Sequence, residues 1–212
     1  MSDAMLTGFL PWALLAYLVG SIPTAWLVGR AFGIDLREKG SGNLGGTNAY
    51  RVLGARGGLP VIVVDITKGY VPAAFFPQWD GSGVGELALA YGLLAIVGHV
   101  WPVWLKFRGG KGIATGAGVL IALAPFAALV ATLVWIGMVA LTRTVSVASL
   151  AAATVVPVAA AITDAPWSTT LFCAGVALFV WWTHRSNLVR IARGEEHKFG
   201  AERSASRKEN GT

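Results

Sequence analysis

Charge is scarce in this chain. Only 13% of its 212 residues are Asp, Glu, Lys or Arg, where a soluble domain carries roughly 25%. Cysteine occurs once, as Cys173 inside an apolar run, so neither a disulfide framework nor a cysteine metal site can form within the chain. The N-terminus, MSDAMLTGFLPWALLAYLVG, lacks a basic n-region and reads as a retained first span, not a cleaved signal peptide. A Walker A hydroxyl is missing too. Gly112 follows Lys111 where a P-loop needs Ser or Thr, which argues against ATP-driven transport.

What is present belongs in a bilayer. Hydrophobic residues make up 55% of the chain and mean hydropathy is +0.62. The net charge is +6, but no basic domain stands apart from the apolar segments. Lys and Arg cluster at the ends of apolar runs, a membrane-protein pattern and not a nucleic-acid one. A span needs about 20 apolar residues. Residues 5–29, 58–77 and 86–105 each supply one, and 144–183 supplies two around TDAPWS. Residues 112–142 are long for one span and short for two.

Positive charge arbitrates. If 112–142 is a hairpin of two short helices turning near Pro125, the basic loops and the basic tail share one side. The connections PQWDGSGVGE and TDAPWS, without Lys or Arg, then lie on the other. The expectation is an all-α integral membrane protein of seven transmembrane helices, some short or broken, N-terminus outside and C-terminus cytoplasmic. Residues 1–200 form one domain and 201–212 a polar cytoplasmic tail.

Three polar islands fall on the basic side: EKGSGNLGGTNAYRVLGARGG (38–58), GHVWPVWLKFRGGKGIATGAG (98–118) and HRSNLVRIARGEEHKF (184–199). Glycines let backbone N–H groups approach an anion closely. Arg51 and Lys111 add fixed positive charge. In FRGGKGIATG the glycines precede an expected helix start, itself an anion site. Either loop alone could be a tight turn; together with Arg51 and Lys111 they point to a phosphate-bearing ligand or two. His184 and Asn187 share a helical face at i, i+3. His99, among aromatics, reads as structural. Asp65 and Lys68, also i, i+3, read as an ion pair inside a span.

GSGNLGGTN with Arg51, GHVWPVWLKFRGGKGIAT and HRSNLVRIARGEE, in this order and spacing, resemble the bacterial acyl-phosphate-dependent glycerol-3-phosphate acyltransferases, the PlsY family. The resemblance spans nearly the whole chain up to about residue 200. It implies a multi-pass enzyme of the bacterial plasma (inner) membrane with its active site on the cytoplasmic face. Such an enzyme transfers an acyl group from acyl phosphate to the sn-1 hydroxyl of glycerol 3-phosphate. It yields lysophosphatidic acid and phosphate, the first acylation of phospholipid synthesis. It implies membrane lipid as the setting, no cofactor or metal, no nucleic acid, and a functional link to an acyl-phosphate synthase. The glycerol-3-phosphate site would fall on Ser41, Arg51, Lys111, His184 and Asn187, of which Lys111, Ser41, His184 and Asn187 would be catalytic. The acyl-phosphate pocket would fall on Asn43, Thr47, Asn48, Gly109, Gly110 and Gly112. No HxxxxD pair and no Ser–His–Asp set is evident in the sequence, so direct attack on the already activated anhydride is the expected route.

Two rivals remain at this stage. A transporter of a phosphorylated solute would share the spans and the inward charge, but would place broken helices at the midplane and show a repeat between halves. A CDP-alcohol phosphotransferase would need grouped aspartates for metal, whereas Asp3, Asp35, Asp65, Asp80 and Asp164 are scattered.

Overall fold

The structure, a computed structural model, describes residues 3–81, 85–163 and 165–198. The expected tail at 201–212 lies outside the described residues, as does Asp164 of the TDAPWS connection. Among the described residues there are ten α-helices and no strand. They are α1 Asp3–Gly20, α2 Thr24–Ala31, α3 Gly46–Leu53, α4 Ala55–Trp79, α5 Leu87–Val100, α6 Ile113–Leu123, α7 Pro125–Thr142, α8 Val145–Ala161, α9 Trp167–Thr183 and α10 Arg185–Ala192. A short 3₁₀ turn, Val103–Leu105, follows α5.

Among the described residues, four stretches are long and apolar enough to cross a membrane: Gly8–Ala31, Ala55–Trp79, Leu87–Leu105 and Pro125–Thr142. Three shorter apolar helices, α6, α8 and α9, accompany them. Leu133, Leu141, Val158 and Leu178 are more than half exposed on α7, α8 and α9, where a soluble protein would place charge. Lipid is the solvent that suits them.

The first apolar run, expected as one span over 5–29, is broken at Ser21–Pro23. Pro23 has no N–H to donate back into the first helix, which favours a break there. Lys68 Nζ on α4 donates to the Ile22 carbonyl at 2.9 Å and so satisfies the break from outside. The hairpin in 112–142 turns on a single residue, Ala124 (φ −148°, ψ 68°), with Pro125 opening α7. Its arms are unequal. α7 has 18 residues, but α6 has 11, a rise of about 16 Å. That is short of the roughly 30 Å hydrocarbon core.

α4 and α6 approach through small residues. A Cβ at Gly69 would strike the Thr115 carbonyl, and one at Gly118 would strike the Ile66 carbonyl. In a bilayer such close backbone approach, and not water exclusion, drives helix association. α7 has only Ala127 and Ala128 buried. An apolar cavity of about 270 Å³ is lined by residues of α3, α4, α6, α7, α8 and α9.

Candidate active site

The first polar island is organised by one side chain. Asn48, the third residue of α3, is buried. Its Oδ1 accepts the Ser41 N–H at 2.9 Å, and its Nδ2 donates to the Leu36 and Lys39 carbonyls at 3.1 Å each. This ties the loop back onto the helix and fixes the Ser41 backbone beside it. At the loop's outer edge Asp35 bridges Arg37 at 2.6 Å and Arg30 at 3.4 Å. Hydrogen bonds from the Arg37 side chain and then its backbone hold the Asp35 carboxyl down at about 2.

The second island folds back on the end of α5. Gly109 N–H donates to the Val100 carbonyl at 3.0 Å and Gly110 N–H to the His99 carbonyl at 3.1 Å. These two donors therefore point into the chain. Gly112 caps α6 with φ 82°, a left-handed conformation suited to glycine. The first turns of α3 and α6 each have N–H groups that the helix itself leaves without acceptors. Gly46 and Thr47 of the one, and Gly112 and Ile113 of the other, stand in the wall of the apolar cavity. Of the residues expected to cradle acyl phosphate, Thr47 and Gly112 line that cavity. Gly109 and Gly110 line a small pocket behind the loop, shared with Asp65, Lys68 and His99. Asn43 is half-buried in the loop leading to α3.

The third island meets the second at Lys111. Lys111 Nζ donates to Asn187 Oδ1, and Thr183 Oγ1 donates to the Lys111 carbonyl at 3.2 Å. His184, at the α9–α10 junction, is buried. Its Nδ1 lies 2.9 Å from the Val180 carbonyl. A carbonyl only accepts, so Nδ1 carries the proton and Nε2 is left as the acceptor. Burial, then the nearby Lys111 charge, push the His184 pKa down to about 4, against the opposing pull of the Val180 carbonyl and Glu196. The imidazole is neutral at physiological pH. Ser41 is exposed and Arg51 half-buried, and the Arg51 charge is near enough to act on Lys111.

Sequence reasoning assigned no role to Glu196, yet it clamps this island. Asn187 Nδ2 and Ser146 Oγ donate to its Oε1 at 2.6 and 3.0 Å, and Arg190 Nε donates to Oε2 at 2.8 Å. Burial opposes its ionisation, but these three donors outweigh burial and keep its pKa below the usual value. The available signal was an acid standing alone with Glu195 in a basic island. Glu196→Gln should keep the shape but lose the charge that orients Asn187. Hydrogen bonds to charged groups contribute about 1.5–3 kcal/mol. The expected loss in kcat/KM is about tenfold to a hundredfold, measured by steady-state kinetics, with a smaller change in thermal stability.

Lys111 is depressed to about 8, first by burial, then by Arg190, opposed by Glu196, with Arg51 adding to the fall. The cation is the form an anion needs, and it is lost as pH rises through that value. The pH profile of kcat/KM, which reports the free enzyme, should fall above about pH 8. Lys111→Arg should lack that alkaline limb, because guanidinium stays charged.

The chain is similar to known glycerol-3-phosphate acyltransferases. The family model described as glycerol-3-phosphate acyltransferase matches residues 10–194. A glycerol-3-phosphate acyltransferase of Desulforudis audaxviator is 46% identical over 186 residues, covering 87% of this chain and 92% of its own. A glycerol-3-phosphate acyltransferase 2 of Moorella thermoacetica is 45% identical, covering 88% and 95%. Among solved structures, the glycerol 3-phosphate form of PlsY, an integral membrane glycerol 3-phosphate acyltransferase, superposes with a TM-score of 0.86. Its sequence identity is 34%, over 93% of this chain and 98% of that one. Its lysophosphatidic acid form gives a TM-score of 0.83.

Proposed function

The chain belongs to the glycerol-3-phosphate acyltransferase family, and from that premise we propose a complete reaction. The enzyme acylates glycerol 3-phosphate at its sn-1 hydroxyl, with an acyl phosphate as donor. The hydroxyl oxygen attacks the acyl carbonyl carbon. The bond from that carbon to the phosphate oxygen breaks, and phosphate leaves. The hydroxyl proton goes to the departing phosphate, so lysophosphatidic acid and inorganic phosphate balance the equation.

The observation that carries this reading is the placement of Lys111. Its ammonium is bonded to Asn187, and its neighbour Gly112 opens α6 at the rim of the apolar cavity. Two kinds of anion site therefore adjoin. Lys111 and Arg51 offer full charges, suited to the phosphate of glycerol 3-phosphate. The first turns of α3 and α6 offer N–H groups and the positive ends of helix dipoles, suited to the donor phosphate, whose acyl chain would enter the cavity. Ser41, Asn187 and neutral His184 are hydrogen-bonding groups for the glycerol hydroxyls, with His184 Nε2 as an acceptor. The protein then contributes proximity and anion stabilisation to a donor that is already activated.

The same reading includes topology. Seven crossings are formed by α1–α2, α4, α5, α6, α7, α8 and α9, within a single domain over residues 1–200. The basic loops face the cytoplasm and the N-terminus faces out, by the asymmetry of Lys and Arg. In a bacterial plasma membrane the active site opens to the cytoplasm, and an acyl-phosphate-forming enzyme must supply the donor.

The test is one assay in detergent with purified protein, glycerol 3-phosphate and palmitoyl phosphate, with palmitoyl-CoA as control. Lysophosphatidic acid from the first pair supports the reading. Activity with CoA alone overturns the donor assignment. A transporter of phosphorylated solutes would give no product.

A further inference from the structure

Asp65, Lys68 and His99 are buried in the helical bundle, yet none enters the reaction just described. The Lys68 ammonium stands 2.8 Å from Asp65 Oδ1, and His99 Nδ1 stands 3.7 Å from the same oxygen. All three are at most 6% exposed. Ionisable groups at such depth are costly and persist where they pair and serve a function.

The outward contacts of the group show what it supports. On one side Lys68 satisfies the Ile22 carbonyl at the α1–α2 break. On the other, His99 lies against Gly110. A methyl group there would strike His99 Nε2 and would come within 2.9 Å of the Leu44 carbonyl oxygen. Gly110 is thus the place where the two glycine-rich loops touch, and the imidazole is the floor beneath. Leu44 lies two residues before the start of α3, and Gly110 three before the start of α6. The separation of those two helix starts is set at this junction. Lys111, by contrast, has anchors of its own in Thr183 and Asn187.

We propose that His99, oriented by the Asp65–Lys68 ion pair, is a positioning residue that sets the spacing between the α3 and α6 first turns and so shapes the donor-phosphate cradle. It touches no substrate. This rests on the donor assignment made above. Lys111, His184 and Asn187 of the acceptor site are held on α9 and α10, so disturbing His99 affects the donor chiefly, and the acceptor only through Arg51 on α3.

The experiment is full steady-state kinetics on purified full-length protein, with each substrate varied in turn. His99→Leu should raise the KM for palmitoyl phosphate about tenfold or more, the scale of a displaced binding group, and leave the KM for glycerol 3-phosphate within about twofold. His99→Gln, which keeps a polar contact toward Asp65, should recover most of the loss. The double variant Asp65→Asn/Lys68→Met removes both charges together and leaves no unpaired ion. It should show the same donor-selective defect, and it decides the question if His99→Leu does not fold. Three results would overturn the proposal: equal rises in both KM values, unchanged KM values with kcat falling in step with the folded fraction, or failure of every variant to fold. A wild-type protein that does not use palmitoyl phosphate would overturn the donor reading and this proposal with it. Wild-type turnover with any of the three variant results would sink this proposal alone.

Discussion

Lys111→Ala should abolish turnover while leaving the protein folded. The side chain is a cation bonded to Asn187 and within reach of the fields of Arg51, Arg190 and Glu196, and its neighbour Gly112 lines the apolar cavity. In the proposed reaction it holds the acceptor phosphate where the glycerol oxygen can reach the donor carbonyl. A cation in a water-poor site acts far more strongly than in water. Removing one such electrostatic group costs on the order of 10²–10³ in rate, and loss of substrate position adds to it. The fold has little reason to suffer. The Thr183 hydroxyl bonds the backbone carbonyl of residue 111, which alanine retains, and removing a half-buried charge relieves a desolvation cost. A melting temperature within about 2–4 °C of wild type would correspond to about 1 kcal/mol in a chain of this size. Near-normal turnover in that variant would remove Lys111 from the site and the proposed mechanism with it.

The second large effect is on the fold. Gly118→Val should leave little folded protein, because its Cβ alone would strike the Ile66 carbonyl and would come within 2.8 Å of the Tyr70 nitrogen. Backbone cannot step aside as a side-chain tip can, so α4 and α6 would have to part. The cost should exceed the about 1–3 kcal/mol typical of an overpacked core. Gly118→Ala carries the same Cβ and should lower the melting temperature clearly. Gly137→Ala on α7 is the internal control. Nothing lies within 4 Å of its Cβ position, and alanine in a helix interior is better than glycine by roughly 0.5–1 kcal/mol. Size-exclusion profiles and melting curves in detergent read all three. A well-folded Gly118→Val protein would show that the α4–α6 contact is looser than described.

Much of this architecture was legible as alternation of apolar runs and polar islands. The second span, read as 58–77, is α4 at Ala55–Trp79. The turn at Pro125 was legible because the first position of a helix, where the N–H has no partner to lose, is where proline fits best. The break at Ser21–Pro23 was not, although Pro23 stood in plain view. A proline in an apolar run can kink a helix or end it, and here the outcome depends on Lys68 reaching across from α4. That contact joins residues 46 apart and leaves no local trace. The unequal arms of the α6–α7 hairpin were equally hidden, since hydropathy measures greasiness and not depth.

At the site, the i, i+3 spacing of His184 and Asn187 appears as a backbone hydrogen bond from Asn187 N–H to the His184 carbonyl, while the Asn187 side chain goes to Lys111 and Glu196. The glycines of FRGGKG were harder. A glycine that frees an N–H for an anion and a glycine that admits a neighbour look alike in sequence. Gly110 is of the second kind, with its N–H committed to the His99 carbonyl. Glu196 escaped notice because a clamp is defined by what it touches, and its partners come from α8 and α10.

One consequence of pairing whole cations with helix ends concerns how the cycle finishes. A helix N-terminus carries roughly half an elementary charge, screened within its first turn. On the proposed division, the inorganic ion formed by the transfer rests only on such fractional charges. The headgroup of the new lipid rests on Lys111 and Arg51. The weaker hold lets the small ion escape to water first. The lipid departs last, when the bilayer takes up its chain, and the empty groove then faces the next donor instead of the spent one. Inorganic phosphate should accordingly be a poor inhibitor, and lysophosphatidic acid the product that slows the enzyme.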